Sequence, residues 1–456
     1  MGCYGGGVCV TRPKLFFVNR FYNPNESATA QLLTDLCVTL SARDWDVRVI
    51  TSDRANPGQP RLARRERTDG VTIRRVWSSE LGVNGLIGRI IDYLTFYPGA
   101  LIELLRKVGK DDIIIVKTDP PMFVVLAVLA AKIKRAKVAA WLQDLYPEVA
   151  IELGVRLLRG PLGAALIALR NLALRFADAA VVVGAKMGDR LEQGGIAPSK
   201  IFLLPNWSDD QIKPLAPAKS HSRSAWGIGQ DAFVFGYSGN FGRAHESETI
   251  LRAAKLLEHR RDIFFLFVGD GHESHYLKRA ITSLKLERFL FQPHQPRALL
   301  SDSLAAADAH WLSLRPELEG LIVPSKFYGI ASAGRPVVAI VAKDGEIAQQ
   351  IRELECGYVV EPGDGEALAE VIVRLADDQT HCHALGEKAR AGSQSKFARR
   401  LALNRWEWIL KNLSEPSRAP SPRDSAANHG DPQIEALLAG LSTTSSDHRL
   451  PYHKLS

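Results

Sequence analysis

The residues best suited to chemistry lie in the stretch Val323–Ile340, VPSKFYGIASAGRPVVAI. Ser325 and Lys326 stand at the start of a predicted short helix that ends at the Gly334 turn. A hydroxyl, an ammonium and the free N–H groups of a helix start all favour an anion at one point. An ordinary helix–strand unit with a solvated lysine has the same pattern, so the pattern alone leaves both interpretations open.

Two glycine-rich stretches could add contacts to such an anion. In SGNFGRAH, Gly239 and Gly242 would let the backbone approach a ligand, and Arg243 could bind a phosphate through two donors. The second stretch, Gly269-Asp270-Gly271, follows a predicted strand. Taken alone, either stretch fits an ordinary tight turn equally well.

Polar residues also follow two predicted strands of the N-terminal half. The loop Asn23–Thr29 follows the strand Lys14–Asn19, and Gln143-Asp144 follows Val138–Leu142. Ligands of parallel α/β sheets bind beyond the carboxyl ends of the strands, so both stretches are expected at a cleft. The alternatives are an N-cap at Ser27 or Thr29 and an Asp144 that caps the turn after it.

The elements that must position these residues alternate between buried strands and helices. A chain of 456 residues with 46% hydrophobic and 24% charged residues is expected to form a soluble two-domain protein. The alternation predicts an α/β fold with a doubly wound parallel sheet in each domain. The predicted divisions are a flexible lead-in (1–12), a first domain (13–212), a linker (213–230), a second domain (231–394), a returning helix (395–412) and a disordered tail (413–456) with a transient helix at Ile434–Leu441.

The net charge indicates which classes of ligand the protein could bind, and the cysteine content indicates its redox compartment. A net charge of +8 favours anions, of which nucleotides and anionic lipid head groups fit better than nucleic acid, because no nucleic-acid-binding motif is present. Five scattered cysteines without metal or disulfide spacing favour a reducing compartment, and we expect a cytoplasmic protein. The sequence contains no unbroken apolar run of about 18 residues, so it predicts no membrane span.

The P-S-K-x-Y and A-G-R-P-V-V motifs resemble the donor-site segment of retaining GT-B glycosyltransferases. The resemblance is to glycosyltransferase family 4, in its colanic-acid and exopolysaccharide-type branch, and it extends from Pro13 to Asn412. It implies two Rossmann-like doubly wound domains facing across a cleft. It also implies a site for the diphosphate of a nucleotide sugar, formed by Gly239, Asn240, Arg243, Gly269, Asp270, Ser325 and Lys326.

The same resemblance assigns residues to the acceptor side. It implies that Asn25, Ser27 and Thr29 contact the acceptor, that Asp144 is the acceptor-side base, and that Glu319 meets the sugar hydroxyls. Two positions depart from the family pattern. Gln143 stands where many relatives have His, and Gly329 stands where many have a Glu that contacts the ribose of the nucleotide.

The expected function is transfer of a sugar, with retention of configuration, from a UDP- or GDP-linked donor. The acceptor would be a saccharide or a polyprenyl-diphosphate-linked sugar in cell-surface polysaccharide synthesis. No cofactor or metal is expected, since relatives are typically metal-independent and no Asp-x-Asp motif is present. The alternatives are a GT-B sugar-nucleotide epimerase and a non-catalytic scaffold, the latter favoured by Gln143 and Gly329.

A basic segment and an amphipathic helix could bring the first domain to a membrane. Arg61–Val76 is rich in arginine, and Leu86–Leu105 has apolar residues at helical spacing. Such a helix covers a sheet or lies on a membrane surface. We therefore expect a peripheral protein at the cytoplasmic face of an anionic membrane, with the basic segment and the apolar face of this helix as its contacts.

Overall fold

The computed structural model describes residues 12–55, 58–82 and 85–415 and contains two sheets. The first has eight strands in the order β3-β4-β2-β1-β5-β6-β7-β8, and all neighbours are parallel except β3 and β4. Its central strands are buried on both faces, which explains their continuous apolar sequences. These strands are β1 (Leu15–Val18), β2 (Val47–Ser52), β3 (Arg65–Thr68), β4 (Val71–Val76), β5 (Ile113–Lys117), β6 (Lys137–Leu142), β7 (Ala179–Val182) and β8 (Ile201–Leu203).

Helices cover both faces of the first sheet. On one face, the helices α2, α3, α5 and α6 pack into a single core with the sheet. On the other face α1 packs beside the C-terminal helix of the described chain. The helices that connect these strands are α1 (Ala28–Ala42), α2 (Leu86–Lys107), α3 (Phe123–Lys134), α4 (Glu148–Glu152), α5 (Pro161–Phe176) and α6 (Ala185–Gln193), followed by α7 (His221–Ala225).

The second sheet has six strands, all parallel, in the order β11-β10-β9-β12-β13-β14. Its strands are β9 (Phe233–Ser238), β10 (Ile263–Val268), β11 (Phe289–Gln292), β12 (Ala309–Ser313), β13 (Val337–Ile340) and β14 (Gly357–Val360). The helices around it are α8 (Glu248–Leu256), α9 (His272–Ser283), α10 (Leu300–Ala305), α11 (Lys326–Ser332), α12 (Glu346–Leu354), α13 (Gly365–Asp377) and α14 (Gln379–Ser395). The predicted α/β class with two doubly wound parallel sheets is thereby confirmed.

The last described helix, α15 (Arg399–Ser414), returns to the first sheet. Trp406 lies 4.8 Å from Trp141 of β6 between ring centroids, and Arg399 pairs with Asp35 of α1. The sequence placed this helix from residue 395, but Ser395 still belongs to α14, and a short break separates the two helices. The break follows Lys396, where Phe397 turns into the core.

Both sheets belong to one compact unit that ends at Ser414. The domain boundaries drawn from the sequence stay a prediction. Residues 1–11 of the predicted lead-in, and the tail from residue 416 with its predicted helix at Ile434–Leu441, lie outside the described residues.

Candidate functional site

Two glycine loops of the second sheet lie against each other where β9 and β10 end. Gly239 has a φ of 123°, and its N–H donates to the Val268 carbonyl at 2.9 Å. A side chain on Gly269 would come within 2.4 Å of the Gly239 carbonyl oxygen. The Phe241 N–H donates to the Asp270 carbonyl at 2.8 Å. Glycine is therefore favoured at 239 and 269, because both have a positive φ, and at 269 a side chain would also meet the backbone.

Lys326, the first residue of α11, extends its side chain over this pair of loops. A Cβ on Gly239 would lie 2.9 Å from Lys326 Cε, and Lys326 Nζ lies 5.3 Å from the centroid of the Tyr237 ring. Ser325 precedes it as an exposed residue whose side chain forms no cap hydrogen bond. Three stretches that are far apart in the sequence therefore meet at one place.

His245, a residue for which the sequence predicts no role, holds the Lys326 ammonium. Its Nδ1 lies 2.6 Å from the Ser313 carbonyl oxygen, which can only accept, so Nδ1 carries the proton. Its Nε2 is then a free acceptor for Lys326 Nζ, which lies 3.2 Å away. Burial, helped by the Lys326 charge, lowers the pKa of His245 to about 3, so the ring stays neutral. No property of a lone His after a glycine loop could have revealed this contact.

Burial alone lowers the pKa of Lys326 to about 8. Among the described residues no carboxylate lies within ion-pair distance of its ammonium. Its hydrogen-bond partner is the neutral His245. A desolvated ammonium with no counterion is suited to bind an anion, because the anion would restore the lost solvation.

The remaining predicted donor residues lie around the same loops. Arg243 is exposed, and its Nη2 lies 3.2 Å from Nε2 of His272, at the start of α9. Asn240 and Asp270 also have exposed side chains, and Asn240 contributes its carbonyl to the Tyr237 hydroxyl at 2.9 Å. The structure thus brings every predicted donor residue to one edge of the second sheet, with Arg243 and Lys326 as its two cations.

On the first sheet, Asp144 lies at the end of β6, beside the end of β5. Burial first, and then the nearby Asp119 charge, raise the pKa of Asp144 to about 6, against the opposing effect of Lys117. Burial lowers the pKa of Lys117 to about 7. In the described chain the Asp144 carboxylate makes no hydrogen bond that would cap the following turn. The environment therefore gives Asp144 a pKa close to neutrality, which suits a base.

Lys117 links this group to the predicted acceptor loop. Its Nζ donates to the Thr29 carbonyl at 3.1 Å and lies 3.6 Å from the centroid of the Trp141 ring. In the loop, Asn25 Oδ1 accepts from the Ser27 N–H at 3.0 Å, and the Ser27 and Thr29 hydroxyls lie 3.5 Å apart. Ser27 is the N-cap of α1, but its hydroxyl forms no cap hydrogen bond. The three predicted acceptor residues therefore lie together, next to the Asp144 group.

Gln143 forms a reciprocal amide pair with Asn206. Each side chain donates to the other at 3.0 Å, and both residues are buried. Asn206 belongs to the segment that follows β8. At the position where many relatives have His, this chain therefore has Gln143, which holds the segment after β8 in place.

The two halves of the predicted site meet at Ile322. Its backbone forms bridges with both Asp144 and Glu319, and the Leu145 N–H donates to the Leu321 carbonyl at 2.9 Å. The carboxylate of Glu319 is buried and accepts from the Glu346 N–H at 3.3 Å. Burial raises the pKa of Glu319 to about 6. Its other oxygen, Oε1, has no hydrogen-bond partner within the described ranges.

The environment of Gly329 shows why a glycine is not required there. A Cβ would meet nothing closer than Ile212 Cδ1 at 3.7 Å, which is an ordinary contact. The position thus has room for a Cβ, so crowding at the Cβ does not explain the missing Glu.

In the part of the chain that the structure describes, no group of three or more His, Cys, Asp or Glu side chains could hold a metal ion. No helix in those ranges is long and apolar enough to cross a membrane. Neither result bears on the expectation of metal independence, which stays a prediction.

Comparisons with known proteins match both halves of the chain. The family described as Glycosyl transferase 4-like domain matches residues 28–207, and the family Glycosyl transferases group 1 matches residues 218–392. A probable glycosyltransferase, WbjE of Pseudomonas aeruginosa, is 25% identical over 70% of this chain and 78% of its own length.

Solved structures share the whole fold. Sucrose-phosphate synthase from Thermosynechococcus elongatus has a TM-score of 0.69 at 17% identity, covering 88% of this chain and 99% of its own. HepE of Anabaena, solved in complex with UDP-glucose, has a TM-score of 0.67 at 17% identity, with 88% and 99% covered. Residues 28–207 of this chain therefore match a glycosyl transferase 4-like domain and residues 218–392 match the group 1 glycosyl transferases, on the two-domain fold that solved GT-B glycosyltransferases share.

Proposed function

We propose that the protein transfers a sugar from a UDP- or GDP-linked donor to a saccharide or polyprenyl-diphosphate-linked acceptor, with retention of configuration. The observation that carries the donor assignment is the position of Lys326 over the Gly239 and Gly269 loops. The Lys326 ammonium has no counterion there, and the glycine loops let the backbone approach a ligand closely. Both features suit the binding of a diphosphate. HepE, of the same fold, was solved with UDP-glucose, which supports a nucleotide sugar of this kind.

In this proposal the donor loops stabilise the leaving group. When the bond from sugar to diphosphate breaks, negative charge grows on the diphosphate. Lys326, held by His245, and the exposed Arg243 would neutralise that charge, and the Ser325 hydroxyl would donate to it. Two cations can supply this stabilisation without a metal ion, so we propose a metal-independent and cofactor-free reaction through an oxocarbenium-like transition state.

On the other side of the site, we assign the acceptor to the first sheet. Asn25, Ser27 and Thr29 would contact the acceptor sugar, and Asp144 would accept the proton of its hydroxyl. The raised pKa of Asp144 supports this role, because a base works best with a pKa near the working pH. Glu319 would meet hydroxyls of the donor sugar, as the resemblance implies.

Two other functions have an observation in their favour. An epimerase of the same fold would need the same diphosphate site but no acceptor loop. A non-catalytic scaffold is favoured by Gln143 and Gly329, which replace residues common in the family. The acceptor loop beside Asp144, linked to it by Lys117, favours the transferase over both.

A panel of nucleotide sugars separates these functions. Donors that raise the melting temperature would be incubated with the protein, and release of nucleoside diphosphate and the sugar product would be measured. A transferase releases nucleoside diphosphate slowly when water is the acceptor and faster when a sugar acceptor is present. Isomerised nucleotide sugar would indicate the epimerase, and donor binding without turnover would indicate the scaffold.

We further propose that the protein works at the cytoplasmic face of the membrane in exopolysaccharide or other cell-surface polysaccharide synthesis. The resemblance of the PSKFY segment to that branch supports the pathway. A basic chain with a charge of +8 supports contact with anionic lipid.

A further inference from the structure

Large apolar side chains are exposed on one face of the first sheet's helices. On α5, the outward positions Leu162, Leu169, Leu172 and Phe176 are between 43% and 54% exposed. They follow each other at helical spacing, so this helix presents a continuous apolar stripe to solvent. A soluble helix with nothing docked on it would carry polar residues there.

The neighbouring helix α2 has two stripes. Asp92, Phe96, Ala100 and Leu104 lie four residues apart and are buried against the sheet. The opposite stripe is exposed and apolar, and comprises Ile87 (75%), Ile90 (41%), Leu94 (59%) and Ile102 (52%). The helix therefore covers the sheet with one stripe and leaves the other available, so both interpretations of its amphipathic sequence apply.

These stripes form one surface, because α2 packs on α3 and α3 packs on α5. Leu129 and Ile133 of α3 are exposed between them, and Leu157 of the adjoining one-turn helix is 72% exposed. Lys132 of α3 lies 4.9 Å from the centroid of the Phe176 ring on α5. We call the outward residues of α2, α3, α5 and Arg156–Leu158 the outer helical face. An apolar area of this extent marks a binding surface.

The charges on and beside the outer helical face are mostly positive. The exposed basic residues of the described structure there are Arg89, Arg106, Lys107, Lys110, Lys132, Arg135, Arg156, Arg159 and Arg175, and the exposed acidic ones are Asp111 and Glu152. The acidic residues on α2 are Asp92, which is buried and accepts from the Ser79 hydroxyl, and the partly buried Glu103. Two copies of such a face would repel each other, whereas an anionic lipid surface complements both its charge and its apolar stripes.

We propose that the outer helical face docks on an anionic lipid bilayer. The outer helical face includes the helix α2 expected from the sequence, adds α3, α5 and Arg156–Leu158 to it, and does not include the basic segment Arg61–Val76. Arg75 of that segment is buried and pairs with Glu66, and Arg61 pairs with Asp53. These two side chains are therefore engaged within the protein, whereas Arg64, Arg65 and Arg67 are exposed. The helices, unlike this segment, supply the apolar stripes of the docking surface.

The outer helical face reaches the acceptor side of the site through Arg89. This exposed arginine lies on α2, whose Asp92 lies 3.5 Å from Arg20, and Arg20 lies 3.7 Å from Asp119 on the acceptor side. The Arg89 charge opposes the effect of burial, which raises the pKa of Asp119 and of Tyr146. A bilayer on this face would hold a lipid-linked acceptor with its diphosphate near Arg89. This last step rests on the proposed transferase function, whereas the docking itself does not.

Cosedimentation with vesicles tests the docking. Full-length protein would be mixed with phosphatidylcholine vesicles, with or without phosphatidylglycerol, at low and high salt. We expect binding only with phosphatidylglycerol and release by salt. The variant Ile87→Gln/Leu94→Gln/Leu169→Gln/Leu172→Gln should reduce the vesicle partition coefficient by about tenfold or more, and Arg106→Gln/Lys107→Gln/Arg156→Gln/Arg159→Gln should do the same.

A matched control removes exposed apolar residues elsewhere. The variant Leu256→Gln/Leu284→Gln/Leu299→Gln changes residues of the second half, which are 42% to 48% exposed, and should bind vesicles like the wild type. All variants should keep the wild-type melting temperature and hydrolysis of a soluble donor. Equal binding by face and control variants would overturn the proposal. The proposal would also be overturned if the wild type bound no vesicles and instead formed a dimer that the apolar variant of the outer helical face dissociates. Vesicle binding by a protein that never turns over a nucleotide sugar would instead overturn only the transferase function.

Discussion

Lys326 Nζ donates to Nε2 of His245 at 3.2 Å, and His245 is fixed as an acceptor because its Nδ1 proton faces the Ser313 carbonyl. The pair places an ammonium on the Gly239 loop without a carboxylate to neutralise it. A carboxylate partner would hold Lys326 as firmly but would cancel the charge that a diphosphate needs. The donor site thus has an orienting partner that leaves the cation available.

The first prediction follows from the lowered pKa of Lys326, which is about 8. Below that pH the free protein already carries the charge, and above it donor binding must take up a proton. The affinity for UDP-glucose should therefore be constant from pH 6.5 to 7.5 and fall about tenfold per pH unit above 8, until the pKa of the complex is reached. Isothermal titration calorimetry measures this, since the diphosphate diester itself does not titrate there.

The control for that prediction is Lys326→Arg, because a guanidinium stays charged at every pH in the series. Its affinity should be independent of pH between 7 and 9, whatever its absolute value. A wild-type affinity that does not change between pH 7 and 10 would show that Lys326 is not the diphosphate contact.

Asp144 gives a second pH dependence, of opposite sense. A base must be deprotonated, so kcat/KM for transfer should rise with pH through about 6, and it should fall again above about 8, where Lys326 loses its charge. Asp119→Asn should move this rise to lower pH, because the Asp119 charge raises the pKa of Asp144. Asp144→Asn should lower transfer by about 10²-fold or more and leave donor affinity nearly unchanged. Loss of donor affinity in Asp144→Asn would instead place this residue on the donor side.

The Gln143–Asn206 pair should contribute to stability as a unit. Gln143→Leu leaves a buried amide without its partner and should cost about 1–3 kcal/mol in the free energy of unfolding. Replacing both residues by Leu should cost less than the sum of the single changes, with a coupling of about 0.5–3 kcal/mol. Urea denaturation of the wild type, the two single variants and the double variant measures this coupling. Additive single effects would mean that the two amides do not interact.

A substitution at Gly329 is expected to stabilise the protein. Gly329 lies inside α11 with room for a Cβ, so Gly329→Ala should raise the free energy of unfolding by about 0.5–1 kcal/mol. Gly239→Ala is the matched contrast, because its φ of 123° and the nearby Lys326 side chain exclude a methyl group. That variant should lose stability and donor affinity. A destabilised Gly329→Ala would show that this position is constrained after all.

Much of the fold follows from the sequence for a simple reason. Strands such as Ile113–Lys117 are buried on both faces and read as continuous apolar runs, while the helices between them show helical spacing. The break between α14 and α15 was missed because the residues around Lys396 have ordinary helix propensity. What separates the two helices is the packing of Phe397, a tertiary effect.

The candidate site was only partly predictable. Glycine loops and the Ser325-Lys326 start have a sequence signal, because backbone conformation and charge are properties of short segments. The partners His245 and Asn206 have none, because each contacts a residue more than 60 positions away. The role of Arg75 was misjudged for a related reason. A basic run suggests a solvated surface, but β3 and β4 pair so that Glu66 covers this arginine.

The central claim is that Lys326 stabilises the leaving diphosphate of a nucleotide sugar. The most direct measurement is the rate of nucleoside diphosphate release, with the best donor of the panel, by wild type and Lys326→Ala. Removal of one preorganised charge should cost about 2–4 kcal/mol in transition-state stabilisation, measured through kcat/KM. Lys255→Ala, an exposed lysine paired with Glu258, should release it at the wild-type rate. A wild-type rate in Lys326→Ala would contradict the account.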